Sequence, residues 1–166
     1  MIVVEKKGRK RGSILRQYPE AVIFDVTSKG LMNRLSPEFA HGGVPVPFSE
    51  GRESVSVAGI WEGLKVFEGR GIDTRRFQEK DMEKLPRTEK SLGRKLLGWR
   101  KGVKSKVLLN EEEARKEIFK PAFKWVIENR LGKDVERLRE MSESRTVVLL
   151  DGPLGHAELI REAVAA

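Results

Sequence analysis

Glu62 and Lys65 stand three residues apart in the run SVAGIWEGLKVF, which spans Ser56 to Phe67 and places Trp61 beside them. A carboxylate can steady a developing cation or take a proton, an ammonium can give one, and an indole can stack on a base. The spacing predicts an amphipathic helix starting near Ser56. At 100° per residue Val57, Ile60, Leu64 and Phe67 share one side, Ala58, Glu62 and Lys65 the other, and Trp61 lies at the border. The apolar side is expected to face a core, leaving the Glu–Lys side for chemistry. From spacing alone the pair also reads as a solvated ion pair, worth about 0.2–0.5 kcal/mol on a helix surface.

The helix is fed by residues 34–55, in which Gly42 and Gly43 supply backbone freedom and Pro45 and Pro47 stiffen the chain. A structureless stretch of this length within a small domain commonly serves a site. Ser36 and His41, which lie in it, are candidate substrate contacts.

The helix and loop together resemble the YbiA-like, or NADAR, superfamily, in which a Leu-Ser loop precedes a Ser/Thr-Val-Glu-x-x-aromatic-Gln-x-x-Lys helix. Leu35 and Ser36 match the loop, Ser56 and Val57 the helix entry, Trp61 the aromatic position and Lys65 the lysine. Gly93-Arg94 followed by Trp99 is also similar to a family segment associated with its nucleotide-like ligand. Two departures stand out: Ala58 occupies the position of the family Glu, and Pro37-Glu38 replaces an Asn-aromatic pair.

The resemblance implies an N-glycosidase-like hydrolase acting on an ADP-ribose-type or ribosylated nucleobase compound. Such a bond breaks through an oxocarbenium-like state, which calls for a carboxylate near the ribose carbon, a proton for the leaving nitrogen and cations for phosphate. Glu62 or Asp151 is the candidate carboxylate and Lys65 the proton donor or amine nucleophile. Arg94 is the candidate phosphate ligand, and Trp61 or Trp99 the candidate base platform. With Ala58 in place of Glu, the chain is expected either to be inactive as it stands or to work by a route centred on Lys65. A non-catalytic nucleotide or nucleic-acid binding protein is the alternative.

Composition bounds these readings. The 166 residues include no cysteine, which excludes disulfides, thiolate nucleophiles and Cys-based zinc sites. The two histidines, His41 and His156, show no ligand spacing, and neither metal nor cofactor is expected. No apolar run approaches the ~18 residues of a membrane span, and the start of the chain lacks the apolar stretch of a signal peptide; a cytoplasmic protein without a membrane partner is expected. Charged residues make up 35% of the chain and Gln occurs only at 17 and 78, a thermophile's balance. The net charge of +8 suits an anionic partner, a small nucleotide or an ADP-ribosylated nucleic acid. It gathers at Lys6–Arg11, expected as a solvated hairpin or arm, and around Trp99.

The remaining patterns predict a mainly helical α+β domain over residues 1–166, YbiA-like, with two or three short strands and a basic N-terminal segment to residue 20. Residues 2–4 and 13–16 are expected to pair as a hairpin. Residues 21–27 and 145–150 read as buried strands ending in Asp25 and Asp151. Asp25 is expected as a strand-end or capping residue. Helices are predicted from about 73 to 83, near 88–94, from Asn110 to about Asn129 with a kink or split at Pro121, after Asp134, and from about Leu154 to Ala165.

Overall fold

In chain order the elements of the first part are β1 (Ile2–Lys6), α1 (Arg11–Gln17), β2 (Val22–Asp25), β3 (Val44–Pro45), β4 (Glu53–Ser54), α2 (Val57–Gly63), β5 (Lys65–Phe67) and a 3-10 turn, Thr74–Gln78. They continue with β6 (Leu96–Arg100), β7 (Leu108–Leu109), α3 (Glu111–Ala114), a π-helical turn (Arg115–Phe119), α4 (Lys120–Arg130), α5 (Gly132–Ser144), β8 (Val147–Asp151) and α6 (His156–Ala165). The computed structural model describes residues 1–27, 33–81 and 93–166. Two compact units emerge, Met1–Ser36 with Ile127–Ala166, and Pro37–Val126. The division falls within α4.

The first unit is built on β8. Its run of Val147, Val148 and Leu149 is fully buried, as a central strand covered on both faces requires. β1 and β2 flank it, both parallel to it, so that Ile2 and Val22 lie on either side of Val147. Ile14 of α1 packs with Ala21 and Val148. Strand alternation turns Val147 and Leu149 to the other face, and α5 and α6 both pack against β8.

The second unit is organised around α2. Ser56 caps it by accepting a hydrogen bond from Gly59 N at 3.0 Å, the role its residue type predicts. The helix carries Gly59 and Gly63 four residues apart, and both are pressed against the 3-10 turn. A Cβ at Gly59 would lie 2.6 Å from the Arg76 carbonyl oxygen, and one at Gly63 2.6 Å from the Phe77 ring. Phe77 is consequently fully buried. Asp73 N donates to the Gly63 carbonyl at 2.9 Å, and Val55 N to the Phe77 carbonyl at 2.8 Å. A second sheet, β5-β6-β7, is antiparallel, and β3 pairs with β4. Trp61 of α2 meets Trp99 of β6 at 4.5 Å between ring centroids and Phe119 edge-on at 5.9 Å, arrangements that aromatic rings favour.

The expected mainly helical α+β fold with two or three short strands is corrected here: the fold is mixed α/β, with eight strands in three small sheets among the described residues. Several of those strands are two residues long, too short for any periodicity to register. The expected helix over Ser56–Phe67 stops at Gly63, and Lys65-Val66-Phe67 forms β5 instead. A glycine weakens the helix there, and pairing with β6 takes up the backbone that follows. The expected hairpin of residues 2–4 with 13–16 is also overturned, because 13–16 lie in α1 and β1 pairs with β8. Nor is the basic turn a free arm: Arg9 bonds Ser13 and Gln17 and pairs with Glu5 at 2.8 Å.

Other expectations hold or shift by a turn. Asn110 forms a full capping box with Glu113. Pro121 does not break the helix that follows; the π turn just before it absorbs the irregularity. α5 begins ahead of Asp134, which sits in its first turn and pairs with Arg34. The predicted helix from 73 shrinks to the 3-10 turn capped by Asp73. Its continuation past 81, and the helix near 88–94 up to residue 92, lie outside the described residues.

The contact between α2 and the 3-10 turn yields a stability prediction. Gly63→Ala, overpacked against Phe77, is expected to lower unfolding free energy by about 1–3 kcal/mol, and Ser56→Ala by about 1 kcal/mol through the lost cap. Urea unfolding measures both; a Gly63→Ala protein as stable as the parent would contradict the close approach.

Candidate functional site

The end of α2 delivers Glu62 and the strand behind it delivers Lys65. Lys65 Nζ donates to both carboxylate oxygens of Glu62 at 2.9 Å, with the two side chains 19% and 32% exposed. That is a half-buried, bidentate pair rather than a fully solvated one. Lys65 lies opposite Trp99 in the β5-β6 register, and its ammonium sits 6.0 Å from the Trp99 ring centre, within reach of a cation–π attraction. Trp99 is held in turn by its Nε1, which donates to the Trp61 carbonyl at 3.1 Å.

Glu62 and Lys65 open onto a cleft of about 390 Å³ whose polar lining includes Arg70, Asp73, Arg75 and Arg76. The 3-10 turn brings in Asp73, Arg75 and Arg76 because α2's glycines let it approach so closely. Asp73 accepts from Arg75 Nε at 2.9 Å and Nη2 at 3.0 Å, and Arg76 Nε stands 3.7 Å away. The hydrogen bonds from Arg75 dominate, and the Asp73 carboxyl is held below its ordinary range despite partial burial. The carboxylate is therefore ionised at neutral pH. Arg76 is almost entirely buried and Arg75 largely exposed.

The other candidates fall elsewhere. Ala58 is half-buried, donates its amide to the Pro37 carbonyl at 2.9 Å, and shares a helix side with Glu62 one turn on. Trp61 and Trp99 are 7% and 4% exposed, and each turns its ring to protein. Arg94 donates to the Glu68 carbonyl at 2.9 Å, outside the cleft lining. His41 stacks at a tilt on Phe39, 4.5 Å between ring centroids. Ser36 is buried and belongs to the first unit, as does Asp151.

Asp151 ends β8 beside Asp25 at the end of β2. Its Oδ1 accepts from Gly152 N at 2.9 Å and Ala157 N at 3.3 Å, which fixes the start of α6. Asp25 accepts from Thr27 N at 2.9 Å and Oγ1 at 2.6 Å and pairs with Lys7 at 3.7 Å. Burial works to raise its carboxyl, but Thr27 and Lys7 together outweigh burial and lower it. His156, almost wholly buried, donates Nε2–H to the Val26 carbonyl at 2.7 Å, with Nδ1 3.7 Å from Asp151. Burial pushes the imidazole below its ordinary value; the Val26 bond and the Asp151 and Asp25 charges pull it back only in part.

Sequence reasoning missed Arg70, Arg75, Arg76 and the ionic role of Asp73, which read only as a cap. No spacing could have marked them, since irregular chain and a 3-10 turn, not a regular helix, place them. His156 was missed for the same reason: nothing in the sequence shows that Val26 reaches it. No group of three or more His, Asp or Glu side chains among the described residues could hold a metal ion, and no described helix is long and apolar enough to cross a membrane.

The chain belongs to DUF6939, a family of unknown function whose model matches residues 6–159. The match covers the whole of the second unit, with the cleft, and most of the first. No curated protein and no solved structure matches the chain.

The imidazole's depressed value makes a signed prediction. Because the folded state favours neutral His156, the unfolded chain takes up the proton first as pH falls past 6.5, and stability declines with it. His156→Gln is expected to flatten that decline in a thermal-unfolding series across pH 6.5, after allowance for its lower overall stability. An unchanged slope would contradict the assignment.

Proposed function

We propose that the cleft beside α2 binds a ribosylated, anionic compound of the ADP-ribose or ribosyl-nucleobase type and hydrolyses its N-glycosidic bond. The observation that carries this reading is that Glu62 and Lys65, a carboxylate and an ammonium 2.9 Å apart, share one cleft with guanidinium groups. The resemblance to YbiA-like proteins supplies the reaction class.

In the scheme, the Glu62 carboxylate faces the anomeric carbon and stabilises the positive charge that grows there as the C–N bond stretches. Lys65 gives its proton to the departing nitrogen. Water adds its hydroxyl to the anomeric carbon and its remaining proton returns to Lys65, so the products are the free base and the sugar with a hydroxyl at its anomeric carbon. Trp99 beneath Lys65 keeps the ammonium from swinging away. The scheme assigns no step to Asp151. Ala58, on the same helix side as Glu62, is the place where a further carboxylate would activate water.

A second reading is favoured by one specific observation. From Gly93 to Leu109 the chain carries Arg94, Lys95, Arg100, Lys101, Lys104 and Lys106 and no acid, and on this hairpin Lys101 sits 4.9 Å over the ring of the exposed Phe48. Cations beside an accessible aromatic suit a nucleotide or nucleic-acid binding protein without turnover.

Mass spectrometry of base released from ADP-ribosylated guanosine DNA and from ribosylaminopyrimidine phosphates separates the two. Hydrolysis is expected to fall by about 10²–10⁴-fold in Glu62→Gln and in Lys65→Met, and to rise in Ala58→Glu. No release from either the parent or the Ala58→Glu protein, with binding retained, would replace this reading by the binding one.

A further inference from the structure

Two turns of the second unit meet at its surface. Phe48, in the turn after Pro47, has a backbone φ of +55°, a region that bulky side chains enter only under constraint. The loop between β6 and β7 supplies the constraint. Gly102 there has a φ of +97°, and a Cβ on it would lie 2.2 Å from the Phe48 carbonyl oxygen, so only glycine lets the two backbones come together. Val103 N then donates to Ser49 Oγ at 3.0 Å, and Ser49 Oγ to the Pro47 carbonyl at 3.0 Å. The two turns form one block, which carries the Phe48 ring outward with the residue 54% exposed.

The surroundings of the ring are apolar and cationic. Lys101 sits 4.9 Å over it. Val107, whose carbonyl accepts from Lys101 N at 3.0 Å, is 55% exposed, and Leu108, opposite Arg100 in the β6-β7 register, is 43% exposed. Lys104 and Lys106, in the loop between the strands, are exposed and enter no ion pair among the described residues. Lys101 is met by Glu117 at 3.5 Å, and Glu50 lies two residues past Phe48.

The aliphatic groups decide what this surface fits. Cations beside a ring suit a nucleic-acid strand, but Val107 and Leu108 offer no face on which a base stacks. An anionic bilayer engages every one of these side chains: the phenyl and aliphatic groups enter the boundary between headgroups and acyl chains, while the lysines stay at the phosphates with their methylene stems along the apolar side. A block already fixed in shape presents them with little further ordering.

We propose that Phe48, Val107 and Leu108, with Lys101, Lys104 and Lys106, form a surface that docks the protein on an anionic lipid bilayer. Such docking is peripheral and requires no spanning run, the feature on which the expectation of no membrane partner rests. It does not depend on turnover in the cleft beside α2.

The test is co-sedimentation of the full chain with vesicles of phosphatidylcholine alone and of phosphatidylcholine with phosphatidylglycerol. Binding is expected only where phosphatidylglycerol is present, and is expected to weaken as salt rises. Val107→Ser/Leu108→Ser, which leaves the charge untouched, and Lys104→Glu/Lys106→Glu should each weaken it by on the order of tenfold. Lys120→Glu/Lys124→Glu makes the same change of net charge on α4 and should cost much less. The substituted side chains are all exposed, so these variants should fold. The added indole of Phe48→Trp should shift its emission to the blue when anionic vesicles are present. No binding to anionic vesicles, equal losses from the two charge reversals, or full binding by the Val107→Ser/Leu108→Ser protein would overturn the surface. Tight binding of a single-stranded oligonucleotide that needs Phe48 and Lys104, without binding to vesicles, would give it to nucleic acid instead, and a dimer that Val107→Ser/Leu108→Ser dissolves would give it to a second copy of the chain.

Discussion

The second unit depends on how closely α2 can approach the turn Thr74–Gln78. Gly59 and Gly63 leave no room for a methyl group at either position, so the helix backbone lies directly on Arg76 and Phe77. Two elements that would otherwise be a side chain's width apart are fused. The consequence is chemical as well as mechanical: Glu62, from the helix, and Asp73, Arg75 and Arg76, from the turn, line one cleft.

A second constraint fixes the other wall. α2 ends at Gly63, and the chain turns at once into β5, where Arg100 N donates to the Leu64 carbonyl at 2.9 Å. Lys65 is therefore a strand residue, placed by pairing with Trp99, and not a helix residue one turn on from Glu62. The pair forms across a junction. A lysine held by a sheet, a carboxylate and an aromatic ring has less freedom to wander than one on a helix surface, which is what a positioned proton donor needs.

How much of this could be read from the chain follows from the range of the interactions involved. The helix starts at Ser56 and Asn110 and the buried strand ending at Asp151 are local patterns, and they were legible. Glu62 and Lys65 were legible as a pair because three residues separate them in helix and junction alike. The parallel pairing of β1 with β8 was not, because Ile2 finds Val147 almost a chain length away. Nor were Arg75 and Arg76, which sit in a short turn without periodicity and are brought to the cleft by the two glycines of another element.

The central claim is that the Glu62–Lys65 pair meets the sugar of a ribosylated ligand bound in the cleft beside α2. A crystal structure of the protein with ADP-ribose tests it most directly. The account predicts the distal ribose in the cleft, within hydrogen-bonding distance of Glu62 or Lys65. Ligand bound instead along the basic hairpin of β6 and β7, with the cleft left open, would contradict it.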